Sequence, residues 1–216
     1  MFQRSLPPLT LNLIIINVVM FVLPYFGINN NAMVDAFALH YFEFSTFKPL
    51  QIFTHMFMHA GFMHLFFNML GLYMFGGPLE ERLGPQRFLL LYMSAGFGAA
   101  ILQTGVHYFE LRPFIETYGF SEVQSAAEHT MYLVGASGAL FGLLAGYGIL
   151  FAEQEMFLMF FPMPIKAKYF VMIYGVAELL NGIGNRPGDH VAHFAHVGGA
   201  IFGFLLIRYW KSKTIL

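Results

Sequence analysis

Residues 131–151 read MYLVGASGALFGLLAGYGILF, 21 positions without one charged side chain. At a rise of about 1.5 Å per residue, a helix of this length crosses the roughly 30 Å hydrocarbon core of a bilayer. Outward from it, further apolar runs fall at 9–26, 62–79, 88–108, 167–183 and 191–209, so six spans are expected. The stretch between the first two, 27–61, is too polar to span yet rich in aromatics (Phe37, Tyr41, Phe42, Phe44, Phe47, Phe53, Phe57). It reads as a structured loop at the membrane interface, where amphipathic aromatic segments are stable, with Gly61 parting it from the second span. Pro7-Pro8, Gly76-Gly77-Pro78, Pro85, Pro113, Pro162 with Pro164, and Pro187-Gly188 mark the other expected boundaries.

Composition agrees with the membrane reading. Of 216 residues 57% are apolar and 11% charged, with 27 Phe, 14 Met and a mean hydropathy of +0.62. A soluble fold of this size has no core large enough to hide that many bulky side chains. Six helices of about 20 residues take about 120 positions and leave short loops with no room for a second soluble domain, so a single membrane domain over 1–216 is expected. The absence of cysteine excludes disulfide scaffolds, thiolate metal sites and cysteine nucleophiles. A net charge of -1 offers no basic surface for nucleic acid. MFQRSLPPLT at the start lacks the small-residue cleavage site of a signal peptide, so the first apolar segment is expected to stay in the mature protein.

Basic residues orient the spans. With the N-terminus cytoplasmic, Arg4, Arg82, Arg87, Lys166, Lys168, Arg208, Lys211 and Lys213 lie inside, and Lys48, Arg112 and Arg186 outside. Eight against three favours N-in, C-in, a parity that needs an even number of spans. The acidic loop at about 109–130 then lies outside.

Polar residues within the spans need explaining, because each is unfavourable in hydrocarbon unless paired or functional. In GASGALFG (135–142), the glycines read either as a small face for close helix packing or as flanks that admit a substrate backbone to Ser137 and leave its N–H as an oxyanion donor. His196 in AHVGGAIFGF can be the base, because Gly199 and Gly203 let its helix pack on the glycine face of Ser137's. His193, one turn away, competes for that role. His64 and Asn68, four apart on one helix face, can both donate to a developing oxyanion, or Asn68 can bond a neighbouring helix. His64, Ser137 and His196 are the third, seventh and sixth residues of spans that run the same way, which puts them at one depth near the outer surface. Glu178 has no cation near it in sequence and reads as hydrogen-bonded packing or a protonated acid; no catalytic role is assigned to it. In GGPLEERLG (76–84), Glu80, Glu81 and Arg82 read as fixing the turn by hydrogen bonds.

HMFMHAGFMHLFFN (55–68), GGPLEERLG (76–84), GASG (135–138) and AHVGGAIFG (195–203), in this order across about residues 9–209, resemble the rhomboid family of intramembrane serine proteases. The resemblance implies an all-α membrane protein, a six-transmembrane-helix rhomboid-like bundle, N-in and C-in, with an interface loop between spans one and two. It implies a Ser–His dyad without an aspartate: Ser137 as nucleophile, His196 as base, His64 and Asn68 in the oxyanion hole, and Gly135, Gly138, Phe141 and Gly199 in supporting positions. Phe141 matches a ring that packs on the catalytic imidazole, where many relatives carry Tyr. The first loop lacks the Trp-Arg pair of some bacterial members, and 109–130 is long. His55 and His59 match positions that are structural in the family. Neither cofactor nor metal is implied; the expected partners are transmembrane protein substrates and membrane lipid, and the expected location is a bacterial cytoplasmic (inner) membrane.

Two other functions compete. HxxxH at His55/His59 and the triplet spacing of His190, His193 and His196 suit a membrane iron oxygenase, but its HxxHH box is missing, and a zinc protease is set aside further because HExxH is missing. A non-catalytic rhomboid-like protein that binds membrane clients would lack a dyad residue, and here both are present.

Overall fold

The computed structural model describes residues 6–158, 161–184 and 191–213. Arg4, Arg186, the Pro187-Gly188 boundary and His190 lie outside the described residues. Helix α1 (Pro8–Val22) begins on a proline at its first turn, where no helical N–H is lost, and continues as a 3-10 turn, Leu23–Phe26. Its N-terminus is closed from across the molecule. The Glu80 carboxylate accepts the Leu9 N–H (3.0 Å), the Thr10 N–H (2.7 Å) and the Thr10 hydroxyl (2.8 Å), satisfying orphan donors at the positive end of the helix. The turn GGPLEERLG is thus tied down by hydrogen bonds through Glu80.

The interface loop carries α2 (Asn30–Phe37), β1 (Leu39–His40) and a short α3 (Gln51–Thr54). Buried Gln51 organises it, donating to the Asp35 and Thr46 carbonyls and accepting the Lys48 N–H, each at 3.0 Å. Helix α4 (Phe62–Gly71) passes through a π-turn at Leu72–Gly76 into α5 (Gly77–Leu83). Next come α6 (Pro85–Tyr118), α7 (Phe120–Ala127), β2 (Tyr132–Leu133), α8 (Ser137–Leu150), the hairpin β3 (Glu155–Leu158) and β4 (Phe161–Lys166), α9 (Ala167–Gly184) and α10 (His193–Ser212). Helices α6, α8 and α10 form the centre of the bundle.

Three expectations change. The fold is mostly helical but not wholly so: β1 pairs antiparallel with β2, and β3 with β4. Pro162 and Pro164 fall within β4 of this two-stranded ribbon, a place where proline is tolerated. The fourth apolar run is extended from Tyr132 and turns helical only at Ser137, because Gly135 takes φ +123°, a conformation that interrupts a right-handed helix. The acidic stretch 109–130 is no loop. α6 runs through Pro113, which removes one helical hydrogen bond without ending the helix, and stops at Gly119 (φ +86°), where α7 begins. Leu111 and Val123 hold this extension down by packing with Tyr41 and Phe44 of the interface loop.

Bulky apolar side chains fill the core, as Phe88, Tyr92 and Leu143 do, and also cover much of the outer surface, more than a soluble protein exposes. α9 buries Ala167 and Glu178 while Met172, Ile173, Val176, Leu180 and Ile183 are each more than half exposed. Among the described residues two helical segments are long and apolar enough to cross a bilayer, Pro8–Phe26 and Pro85–Tyr118; α8 is apolar but shorter.

Glycine sets the contact between central helices. A β-carbon on Gly199 would stand 1.8 Å from the Gly138 carbonyl oxygen, and one on Gly203 2.4 Å from that of Gly142. α8 and α10 therefore meet backbone to backbone, as small-residue faces allow in lipid.

Candidate active site

Ser137 is the first residue of α8, reached through β2 and the left-handed Gly135. The Gly135 N–H donates to the His55 carbonyl at 2.9 Å, which anchors this approach to the interface loop. A β-carbon on Gly135 would lie 2.6 Å from His64 Nε2 and 3.6 Å from Ser137 Oγ, so the imidazole and the hydroxyl flank one point of bare backbone. The N–H groups of the first turn of α8 have no helical acceptor and sit at the positive end of its dipole.

His196 occupies the first turn of α10 and is 9% exposed. Its Nε2 is 2.8 Å from Ser137 Oγ. The Gly138/Gly199 contact brings the two helices close enough for that hydrogen bond. Phe141, one turn after the serine, stacks on the His196 ring at 4.4 Å between centroids and 9° between planes. The structure therefore brings Ser137, His196, Phe141 and the supporting glycines Gly135, Gly138 and Gly199 together.

His64 and Asn68 face the same cavity, of about 610 Å³, which lies between α4 and α9 and is also lined by Met63, Phe67, Phe170 and Tyr174. Asn68 Nδ2 donates to the His64 carbonyl at 2.8 Å within its own helix. One of its two amide hydrogens is engaged, and the other is left for a neighbour.

Glu178, which has no cation near it in sequence, has two partners in the fold. Its Oε2 lies 2.7 Å from His196 Nδ1 and 2.6 Å from His193 Nδ1. The two rings are 15 and 18 residues away on the next helix, out of reach of spacing along a single helix. A signal was present in Gly182, four residues on and on the same face: a β-carbon there would meet His193 Cβ at 3.2 Å, so α9 and α10 approach closely at this level. His193 does not touch Ser137; its ring stands edge-on to His196, 6.3 Å between centroids.

Glu178, His193 and His196 offer three ligand atoms within 4.8 Å of one another. Their contacts of 2.6 and 2.7 Å are hydrogen-bond distances, against about 3.3 Å between two ligands of a tetrahedral ion held at roughly 2.0–2.1 Å. As built, the trio shares protons. His55 and His59 stand apart from it. His55 Nδ1 is 3.0 Å from the Gln51 carbonyl, and His59 packs edge-on against His64 at 5.0 Å. Burial holds the His55 pKa down to about 4. Burial, with repulsion from His64, holds that of His59 down to about 3.

The Rhomboid domain family matches residues 46–212. The chain is 35% identical over 156 residues to RHOMBOID-like protein 1 of Arabidopsis thaliana, covering 72% of this chain and 33% of that one. It is 30% identical over 160 residues to Rhomboid protease AarA of Providencia stuartii, covering 70% and 52%. It is 29% identical over 163 residues to Putative rhomboid protease YdcA of Bacillus subtilis (strain 168), covering 73% and 67%. It spans about a third of the length of the Arabidopsis relative and about half that of AarA.

Proposed function

The chain belongs to the rhomboid family of membrane proteins, and on that footing we propose that it is an intramembrane serine endopeptidase working through Ser137 and His196. The observation that carries this is the 2.8 Å contact between Ser137 Oγ and His196 Nε2 inside a largely apolar cavity. A hydroxyl is a weak nucleophile until an adjacent base takes its proton.

Ser137 Oγ attacks the carbonyl carbon of the scissile bond as its proton passes to His196 Nε2. The new C–O bond displaces the carbonyl π pair onto oxygen, where the Ser137 N–H, the free Asn68 amide hydrogen and His64 stabilise it. Collapse of the intermediate breaks the C–N bond, and the proton on Nε2 goes to the departing amine. Water repeats the cycle on the acyl-enzyme and frees Ser137.

The protein spans a bacterial cytoplasmic membrane six times, N-in and C-in, and its substrates are transmembrane proteins. The eight-to-three charge distribution and the outward apolar faces of α1, α6, α9 and α10 support that topology. A peptide bond inside a regular helix is screened and its carbonyl already bonded, so cleavage falls where a substrate span unwinds near the outer surface, at sites weakened by Gly or Pro and with a small residue before the cut. Labelling with a fluorophosphonate probe tests the reading. Ser137 is expected to be the modified residue, and an unlabelled, folded protein would favour a client-binding role without cleavage.

A further inference from the structure

Ser137, His196 and Glu178 lie in line through the imidazole: Ser137 Oγ is 2.8 Å from Nε2 and Glu178 Oε2 is 2.7 Å from Nδ1. A Ser–His dyad uses only the first of these contacts. Glu178 comes from a third helix, α9, and is 6% exposed. A carboxylate withdrawn from water into a membrane-embedded bundle is strongly unfavourable unless its lone pairs are taken up. Here one oxygen receives two ring nitrogens, His196 Nδ1 and His193 Nδ1 at 2.6 Å. An ionised carboxylate only accepts, so each Nδ1 carries its hydrogen toward it.

We propose that Glu178 is the positioning residue of the reaction, which holds His196 as the Nδ1–H tautomer with its Nε2 lone pair on Ser137 and offsets the positive charge formed during acylation. The inference rests on Ser137 and His196 being the reacting pair. A neutral imidazole has one donor nitrogen and one acceptor. Fixing the donor at Nδ1 makes Nε2 the acceptor, the only form able to take the Ser137 proton. When that proton arrives, the ring is cationic in a site of low dielectric, and the carboxylate against Nδ1–H stabilises it without itself gaining a proton.

The neighbouring parts fit this role. Phe141 stacks flat on one face of His196 and fixes the ring plane in which Nδ1 meets Glu178 and Nε2 meets Ser137. His193 fills the second acceptor direction of Oε2 and stands edge-on to His196, so the carboxylate is held from two sides. Gly182 lets α9 come close enough to α10 for both contacts. The titratable groups that line the cavity with this carboxylate among the described residues are His64 on α4, Tyr132 on β2, Tyr174 on α9 itself, and His193 and His196 on α10.

The test uses the purified full chain in lipid vesicles with a single-span substrate. The measurements are kcat and KM for wild type, Glu178→Gln and Glu178→Asp, fluorophosphonate labelling of Ser137, and the tautomer of His196 by ¹⁵N NMR of the histidine-labelled wild type. Expected for Glu178→Gln is a kcat lower by about 100- to 10,000-fold, the order seen when the carboxylate of such a triad is replaced by its amide, with KM within about threefold. Glu178→Asp should regain at least about tenfold in kcat, because it restores a charged acceptor. Wild-type His196 should carry its hydrogen on Nδ1, a result that needs no variant to fold. A folded Glu178→Gln with kcat within about threefold of wild type, or a wild-type His196 protonated on Nε2 and not on Nδ1, overturns the proposal. Either result with Ser137 still labelled and Ser137→Ala inactive overturns Glu178's role alone; an unlabelled Ser137 in a protein that still cleaves overturns the serine mechanism beneath it.

Discussion

Gly199 packs directly on Gly138, with a virtual β-carbon on Gly199 only 1.8 Å from the Gly138 carbonyl oxygen. That contact sets the separation of α8 and α10, and so the reach from His196 to Ser137. Gly199→Ala should force the helices apart, destabilise the fold by about 1–3 kcal/mol or more as overpacking does, and lose activity beyond the loss of folded protein. Gly105→Ala, at a position with nothing within 4 Å, is the control and should leave activity unchanged. Thermal melts with activity per folded molecule check it. A fully active Gly199→Ala would show that the backbone contact does not set the dyad.

The two histidines of α10 should separate in function. His196→Ala is expected to abolish turnover, since His196 Nε2 is hydrogen-bonded to Ser137 Oγ. His193→Ala should keep measurable turnover, because its contact is with Glu178. Steady-state kinetics on both variants decide between them, and the reverse pattern would make His193 the base.

Asn68→Ala and His64→Ala should each lower kcat by about 10- to 1,000-fold, the usual order for losing one oxyanion donor, with the protein still folded. Asn68 also bonds its own helix through the His64 carbonyl. If the variants lose thermal stability and keep kcat per folded molecule, their role is packing.

Acid should destabilise the interface loop through His55. The folded pKa is about 4, held down by burial, whereas an unfolded histidine titrates near 6.5. Between those values the unfolded chain binds the extra proton, so stability is full above about pH 6.5 and falls as pH drops toward 4, by roughly 1.4 kcal/mol per pH unit at most. His59 adds to the same slope. Melting temperatures from pH 7 to 4.5 should fall, and less steeply in His55→Gln; equal slopes would remove His55 as the cause.

Much of the bundle was legible because apolar run length and glycine spacing are local properties of sequence. The starts of α1, α4 and α9 lie within one residue of the expected runs. The glycine faces around Gly138 and Gly199 could be read because small residues recur at helical spacing. What was missed depends on geometry that spacing does not encode. Extended backbone before Ser137 follows from one positive φ at Gly135 and from pairing with β1, 94 residues earlier at the Leu39↔Leu133 partners. The helix through Pro113 is held by Leu111 and Val123 against Tyr41 and Phe44, a contact between distant segments. Glu178 was left without partners because its two imidazoles stand on another helix.

The most direct measurement is cleavage of a single-span substrate by the purified protein and by Ser137→Ala in vesicles, with a Gly-Pro pair placed at the outer end, middle or inner end of the span and the cut mapped by mass spectrometry. Cleavage by the wild type is expected near the outer boundary, at the outer Gly-Pro, and none by Ser137→Ala. Wild-type rates from folded Ser137→Ala, or equal cleavage at all three depths, would contradict that expectation.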